Sequence, residues 1–203
     1  MEKRNKQLLV EGNDDKHVIL ALCQKFTLPQ VFDVENCEGM DNVFQSISVR
    51  FKSGIETIGI IIDADIDINK RWLSVKNLLS NQGFTMPENL PTEGLVLSKG
   101  DVKIGVWMMP NNNTNGMLED FISFLVPQND ELLPIVDTTL NEIENRGLNK
   151  YLPIHRSKAR IHSWLSWQEN PGTPLGQSIP KKYLTTDNEK CEQLHKLVAT
   201  VIC

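Results

Sequence analysis

The chain lacks the features that mark secreted, membrane-spanning and zinc-stabilised proteins. Its 203 residues include four cysteines, at positions 23, 37, 191 and 203, and no C-x-x-C pair. Well-separated cysteines of this kind predict reduced thiols rather than a disulfide framework or a zinc site. No segment approaches the roughly 20 apolar residues of a membrane span, and the opening residues MEKRNKQLLV have no signal-peptide core. We therefore expect a cytoplasmic protein without a membrane partner.

An excess of positive charge is also missing. The 21 Lys and Arg residues are outnumbered by 26 Asp and Glu residues, which gives a formal net charge of −5 and a pI of about 5.4. This balance excludes a polybasic protein that binds nucleic acid mainly by releasing counterions. It remains compatible with an enzyme that presents a local basic patch and recruits divalent metal ions.

The first half of the chain shows a regular alternation of strand and helix patterns. Predicted strands lie at Gln7–Val10, Val31–Val34 and Ile58–Ile62, and each is followed by helical spacing that begins at Asn13, Asn42 or Asn69. The β-branched run from Ile58 is typical of a strand buried on both faces of a parallel sheet. Asn13 or Asp14 is expected to cap the first helix. The alternation predicts an α/β fold with an open, mainly parallel sheet flanked by helices.

The second half is less regular and predicts a hairpin followed by helices. Two candidate strands, Gly94–Leu97 and Lys103–Met109, flank a turn, and the Asn-rich segment 110–116 has the composition of a loop. Helical patterns follow at 117–125, 129–145, 157–168 and 189–203, and the third of these helices is expected to bury Ile161, Trp164 and Leu165. We expect an α/β domain over residues 1–126 and a helical C-terminal extension over residues 127–203 that packs on it.

Carboxylates follow two of the predicted strands at the point where each strand ends. Glu11 follows the first strand, Asp63 ends the third, and Asp15 and Asp65 lie shortly beyond them. Functional groups of an open α/β sheet gather at the carboxyl ends of its strands, and extended backbone turns residues two apart to one face. Two unit charges about 4 Å apart repel by about 4 kcal/mol at an effective dielectric of about 20, which a hard cation such as Mg²⁺ would relieve. The alternative, that these acids are solvated loop residues or helix caps, stays open.

A second group of charged residues lies in the C-terminal half. Glu119 and Asp120 open a predicted helix, where they could bind metal or simply complement the helix dipole. Residues 147–162 contain no acid. Five basic residues of this segment are expected to contact nucleic-acid phosphates: Lys150, Arg156, Lys158, Arg160 and His162. A solvated basic face is the alternative interpretation.

Two motifs in this order resemble the Toprim domain. LLVEGNDD, followed later by IGIIIDADID, resembles the glutamate after the first strand and the D-x-D after the third in topoisomerases, bacterial primases and OLD-family nucleases. The resemblance covers about residues 6–125 and matches Glu11, Asp63 and Asp65 to the acids of that domain. An acid four residues after the glutamate is a feature of the OLD-type branch, and the resemblance assigns this position to Asp15. The whole sequence, including MPNNNTNGMLEDF and KARIHSWLSWQENPGTPLGQSI, is similar to small stand-alone Toprim-related proteins of bacteria and archaea.

The resemblance implies a divalent-metal-dependent nuclease that cuts DNA or RNA. Two Mg²⁺ or Mn²⁺ ions would be bound by acids at six positions: Glu11, Asp15, Asp63, Asp65, Glu119 and Asp120. The catalytic residues would be Glu11, Asp63, Asp65 and Lys158, the lysine helping to activate the phosphate as in OLD-type nucleases. OLD-like Toprim domains commonly act with an ATPase in defence against phage. Since this chain has no G-x-x-x-x-G-K-[ST] motif, such an ATPase would have to be a separate partner.

Two other functions stay open at this stage. The chain could be a non-catalytic or partner-activated Toprim module. If it is a pure binding protein, replacement of Glu11 or Asp63 by alanine would leave its function intact. It could also be a phosphatase with Asp63 as the nucleophile, although haloacid dehalogenase-like enzymes carry their D-x-D after the first strand. A topoisomerase is not expected, because Tyr151 and Tyr183 are the only tyrosines and strand-passage domains are missing. Whether the protein is a homodimer also stays open.

Overall fold

The computed structural model describes residues 5–202, which form five β-strands and seven α-helices. The strands are β1 (Lys6–Val10), β2 (Asp33–Asn36), β3 (Thr57–Asp63), β4 (Leu95–Lys99) and β5 (Val102–Met109). The helices are α1 (Asn13–Lys25), α2 (Met40–Lys52), α3 (Ile68–Asn81), α4 (Leu118–Leu125), α5 (Leu132–Asn145), α6 (Arg156–Ser166) and α7 (Glu189–Ile202). Two 3₁₀ turns, Pro153–His155 and Leu175–Gln177, lie before and after α6. Cys203, with its predicted reduced thiol, lies outside the described residues.

The five strands form one sheet in the order β2–β1–β3–β5–β4. β1 pairs in parallel with β2 and β3, β3 pairs in parallel with β5, and β4 is the antiparallel hairpin partner of β5. The α/β class, the mainly parallel sheet and the hairpin are therefore confirmed. The chain runs from β1 out to β2 and then crosses to β3, so that the strand order reverses between β1 and β3. In such sheets the crevice at the carboxyl ends beside the reversal is the usual place for a ligand.

Helices cover both faces of the sheet because β3 is apolar on both of its sides. Ile58, Ile60 and Ile62 pack in the layer of α2 and α3, whereas Ile61 packs in the layer that contains α1 and α4–α7. Burial of one such side chain contributes roughly 1.5–3 kcal/mol, so β3 stabilises both layers. Among the helices of residues 5–202, none combines the length and the apolar composition that crossing a bilayer requires.

Glycines allow the C-terminal half of the chain to pack closely. Gly59 of β3 and Gly105 of β5 lie beneath Val201 of α7, and a Cβ at Gly105 would come within 2.1 Å of Val201 Cγ2. Gly176, in the second 3₁₀ turn, lies against α1, where a Cβ would be 2.8 Å from the carbonyl carbon of His17. Residues beyond 126 therefore pack on the sheet and on α1, while the division at residues 126 and 127 stays a prediction.

The second strand lies later in the chain than its sequence pattern predicts. β2 starts at Asp33, which pairs with Gln7 of β1, rather than at Val31. Val31 remains 48% exposed. The apolar pattern alone misplaces the strand because its register is set by pairing with β1.

Helix α1 also begins differently from the prediction. Its cap is Gly12, which has no side-chain oxygen, and Asn13 and Asp14 lie inside the first turn. The Gly12 carbonyl accepts a hydrogen bond from the Lys16 amide at 3.2 Å. Glycine at the cap leaves room for Asp15, because a Cβ at Gly12 would lie 3.0 Å from Asp15 Oδ2.

Candidate functional site

Two carboxylates meet where the strand order reverses. Glu11 directly follows β1, and Asp63 is the last residue of β3. The Asp63 amide donates to Glu11 Oε1 at 2.9 Å, although 52 positions separate the two residues. Asp63 Oδ1 in turn accepts the amide of Leu118 at 2.9 Å, at the start of α4. Two strands and one helix terminus thus position these acids.

A third carboxylate, Asp15, lies in the first turn of α1 and is only 7% exposed. Its Oδ1 atom is buried and has no hydrogen-bond partner among residues 5–202. Burial, followed by repulsion from Glu11, raises the pKa of Asp15 to about 7. Because an unpaired buried polar atom costs free energy of folding, Asp15 Oδ1 is a candidate ligand for a cation.

Glu119 of α4 adds a fourth buried carboxylate, which is 3% exposed. Lys158 Nζ lies 3.8 Å from Glu119 Oε1, and His162 Nε2 lies 3.9 Å from the same atom. The two basic residues are one turn apart on α6, and contact with Glu119 raises the pKa of His162. Helix α6 therefore brings two of the predicted phosphate-contacting residues to the acids.

We call the four residues Glu11, Asp15, Asp63 and Glu119 the acidic cluster, in which the charges of the other three residues disfavour ionisation of Asp63. Burial is the largest cause that raises the pKa of Asp63 to about 9, followed by repulsion from Asp15 and Glu11. Burial also raises the pKa of Glu11, against the opposing effects of the Asp63 amide and Arg71. A crowded group of buried carboxylates binds protons or a cation, because either one neutralises charge that the protein interior solvates poorly.

Asp65 is oriented differently from the sequence-based expectation. The strand ends at Asp63, and Asp65 has a left-handed backbone with φ of 55°. Its amide and its carbonyl both pair with Gly116 at 2.8 Å, and its carboxylate forms an ion pair with Arg71 of α3. The expectation that Asp63 and Asp65 share one face of an extended strand is therefore wrong. Asp65 still borders the acidic cluster, since its charge contributes to the raised pKa of Asp63.

Hydrogen bonds from the loop 110–116 hold the turn that carries Asp65. Asn115 donates to the Ile66 carbonyl at 2.6 Å and accepts the Ile68 amide at 2.9 Å. The prediction of a loop is confirmed, but its composition does not reveal this contact. No spacing rule predicts the pairing of Arg71 with Asp65, because the backbone conformation of Asp65 depends on its hydrogen bonds to Gly116.

Asp120 has contacts that differ from those of its neighbour Glu119. Asp120 Oδ2 accepts the amide of Met117 at 2.9 Å, which satisfies a free donor at the start of α4. Burial raises the pKa of Asp120, against the opposing bonds from Met117 and Ser157. The structure therefore gives Asp120 a capping role, and its role as a metal ligand stays a prediction.

The other three predicted basic residues, Lys150, Arg156 and Arg160, form no ion pair with the acidic cluster in the part of the chain that the structure describes. Arg156 Nε lies 2.9 Å from Glu144 Oε1, and Arg160 donates to the two Asp137 oxygens at 2.6 and 2.8 Å. Lys150 is exposed before α6. Together with Lys158 and His162, which lie beside Glu119, four of the five predicted residues are thus within ion-pair distance of an acid, which reduces the positive charge expected for this segment.

The residue types at the acidic cluster suit a divalent cation, although the side chains are not arranged around one. Within residues 5–202, no three Asp, Glu, His or Cys side chains form a group that could already hold a metal ion. Oxygens of Glu11 and Asp63 instead accept backbone amides. The cluster nevertheless offers carboxylate oxygens, the ligands that Mg²⁺ and Mn²⁺ prefer, and Asp15 Oδ1 has no competing partner among the described residues.

Nearly the whole chain matches one protein family. A family profile described as "Protein of unknown function (DUF3226)" matches residues 5–203. Two solved structures of the C-terminal region of the Xanthomonas campestris pv. campestris OLD protein, phased with mercury and with iodine, are similar to this chain. Their identities are 15% and 13% and their TM-scores 0.43 and 0.41, over 100% of this chain and 90% of each of those chains. At these TM-scores the likeness carries no argument about the site. No curated protein matches the chain.

Proposed function

The chain belongs to the DUF3226 family, and we propose that it is a divalent-metal-dependent nuclease of the OLD-type Toprim class that hydrolyses DNA or RNA. The observation that carries the proposal is the buried, unpartnered Oδ1 of Asp15 beside Glu11 and Asp63, at the reversal of strand order. A glutamate directly after β1 and a D-x-D that begins at the last residue of β3 support the Toprim assignment. A role in phage defence, with a separate ATPase as partner, belongs to the same proposal.

The proposed cofactors are two Mg²⁺ or Mn²⁺ ions. The acidic cluster would hold them, with Asp65 at its border. Bound metal ions of this kind supply a hydroxide nucleophile at neutral pH and neutralise the charge that develops on the phosphate. The backbone of β1, β3, α1 and α4 brings these carboxylates together, and a bound metal ion would replace the amides that Glu11 Oε1 and Asp63 Oδ1 accept in the structure.

Lys158 is the residue that we expect to contact the scissile phosphate. Its ammonium lies 3.8 Å from Glu119 and its side chain is 49% exposed, so that it can bind the acid and still reach a ligand in solvent. A phosphate oxygen there would accept a charge-assisted hydrogen bond. This contact would offset the repulsion between the phosphate and the carboxylates, which otherwise opposes substrate binding.

Cleavage assays on supercoiled plasmid, single-stranded DNA and single-stranded RNA, with and without Mn²⁺, test the proposal. Asp63→Asn preserves shape but removes the charge, and we expect cleavage to be at least about 100-fold slower, because even outer-shell groups change metal sites 10- to 100-fold. Asp101→Asn makes the same charge change in an exposed turn and should cleave like the wild type. Mn²⁺-dependent cleavage at the wild-type rate in Asp63→Asn would refute the assignment.

Metal binding can be measured without cleavage. A ligand at about 100 times its Kd stabilises a folded protein by about 2.7 kcal/mol, which for a chain of this size raises Tm by roughly 5–10 °C. We expect Mn²⁺ to produce such a shift in the wild type and in Asp101→Asn. The shift should be lost in Asp15→Asn and Asp63→Asn, and its persistence in both would place the metal elsewhere.

A partner-activated module is the second candidate, and the resting contacts of the site favour it. Asp63 Oδ1 is bonded to the Leu118 amide and the Asp65 carboxylate to Arg71, so these oxygens must change partners before they can coordinate metal. A partner could drive that change. Mn²⁺ stabilisation of the isolated chain, with no cleavage of any of the three substrates, is the result that this candidate predicts.

A further inference from the structure

An open cavity of about 570 Å³ lies next to the acidic cluster. It is bounded by the loop 110–116, by one side of α4 and by the start of α6. It reaches the site at Asp65 and at Met117. Met117 directly precedes Leu118, whose amide donates a hydrogen bond to Asp63. A molecule bound at the acidic cluster could therefore extend into this cavity.

The wall of the cavity combines two ion-paired arginines and an aromatic ring with the carboxylates of Asp65 and Asp120. Arg156 and Arg160 line it, and each guanidinium is held by an acid, Glu144 or Asp137. Arginines held in this way lose little side-chain freedom when they bind phosphate, and their planar fork suits its oxygens. Phe124 lines the same cavity and is 41% exposed. An exposed aromatic ring beside cations is the combination on which single-stranded nucleic acids stack.

A second cavity, of about 340 Å³, also borders Asp65. The two cavities share Asp65 and Ile66, but the second is lined by Asp67 and by Lys70 and Arg71 of α3, the last of which pairs with Asp65, rather than by α4 and α6. Cationic side chains therefore lie on two different surfaces that meet at Asp65. A polynucleotide carries phosphates on both sides of the bond that is cut, whereas a phosphomonoester would need only one such surface.

We propose that the larger cavity binds one unpaired nucleotide of the substrate strand next to the scissile phosphate, with its base on Phe124 and its outer phosphate at Arg156 and Arg160. This inference rests on the proposed nuclease function and specifies its substrate as a single strand. In a duplex, neighbouring pairs cover both faces of a base, so Phe124 can stack only on an unpaired base. The arginines bind phosphate, which carries no base identity, so the cavity accepts any sequence.

Binding measured by fluorescence anisotropy tests the cavity. The probes are labelled oligo(dT), oligo(rU) and a duplex of equal length, and every protein carries Asp63→Asn so that binding is measured apart from cleavage. Phe124→Ala removes the ring, whereas Phe124→Tyr retains it. Ile135→Ala is the matched control, since Ile135 lies on α5, is 53% exposed and does not line the cavity.

We expect Phe124→Ala to weaken binding of the single-stranded probe about 5- to 160-fold, the effect of losing one base–aromatic stack. Phe124→Tyr and Ile135→Ala should bind like the parent, and duplex binding should be unchanged in all variants. Unchanged single-strand binding in Phe124→Ala, an equal loss on the duplex, or no single-strand binding by the parent would overturn the inference. Phe124-dependent binding without Mn²⁺-dependent cleavage by the wild type would remove the nuclease proposal alone.

Discussion

Replacement of Gly176 by alanine tests how tightly the C-terminal half of the chain packs on α1. A Cβ there would lie 2.6 Å from His17 Cβ, 2.8 Å from its carbonyl carbon and 2.9 Å from its carbonyl oxygen. Two of these atoms belong to the helix backbone, so rotation of a side chain cannot remove the clash. Either α1 or the turn Leu175–Gln177 must move. Overpacking of a filled site costs about 1–3 kcal/mol.

A stability loss of 1 kcal/mol lowers Tm by about 2–4 °C for a chain of this size, so we expect Gly176→Ala to melt roughly 2–12 °C below the wild type. Differential scanning calorimetry measures the difference. Gln177→Ala is the control, since this neighbour is exposed and should change stability by less than about 0.5 kcal/mol. Because α1 also carries Asp15, the Mn²⁺-induced rise in Tm should shrink in Gly176→Ala. Equal Tm values for the two variants would refute the packing argument.

Three further predictions concern stability and thiol reactivity. Asn112 is 4% exposed and accepts the Met108 amide at 2.7 Å, so Asn112→Ala should reduce the free energy of unfolding by about 1–3 kcal/mol; an unchanged urea midpoint would contradict this. The hydrogen bond from Arg160 lowers the pKa of Asp137. The ionised carboxylate of Asp137 therefore stabilises the fold at pH values above the pKa of the unfolded state, about 3.9. This stabilisation is lost as the pH falls through the lower pKa of the folded state. Asp137→Asn should therefore melt below the wild type at about pH 7, and the difference should shrink as the pH falls below the unfolded pKa of about 3.9, whereas a constant difference would argue against the ion pair. Burial raises the pKa of Cys23 to about 12, so a thiol reagent at about pH 8 should label Cys23 only after unfolding; rapid labelling of the native protein would show that it is accessible.

The strands and the meeting of two acids could be predicted because each depends on a local pattern and one topological rule. The β-branched run of β3 identifies a strand buried on both faces, and the order of strands then brings Glu11 to the Asp63 amide. The helical spacing of α6 likewise predicts that Ile161 and Trp164 are buried, and both are. These features need no knowledge of how distant side chains pair.

The side of the site formed by Asp65 could not be predicted in the same way. Its left-handed backbone depends on hydrogen bonds to Gly116, and its carboxylate on the position of Arg71. The same limit applies to Arg156 and Arg160, whose acidic partners belong to α5. Helical periodicity indicates which face of a helix is buried, but not which charged groups a neighbouring helix presents.

The packing of α7 on the sheet has a consequence for synthesis of the protein. β5 ends at Met109, whereas Val201, which covers Gly59 and Gly105, emerges from the ribosome only after residues 110–188 have been made. Until then the part of the sheet that α7 covers is apolar and open, a state in which nascent chains attract chaperones or one another. A premature stop codon or a protease cut before residue 189 would make that state permanent.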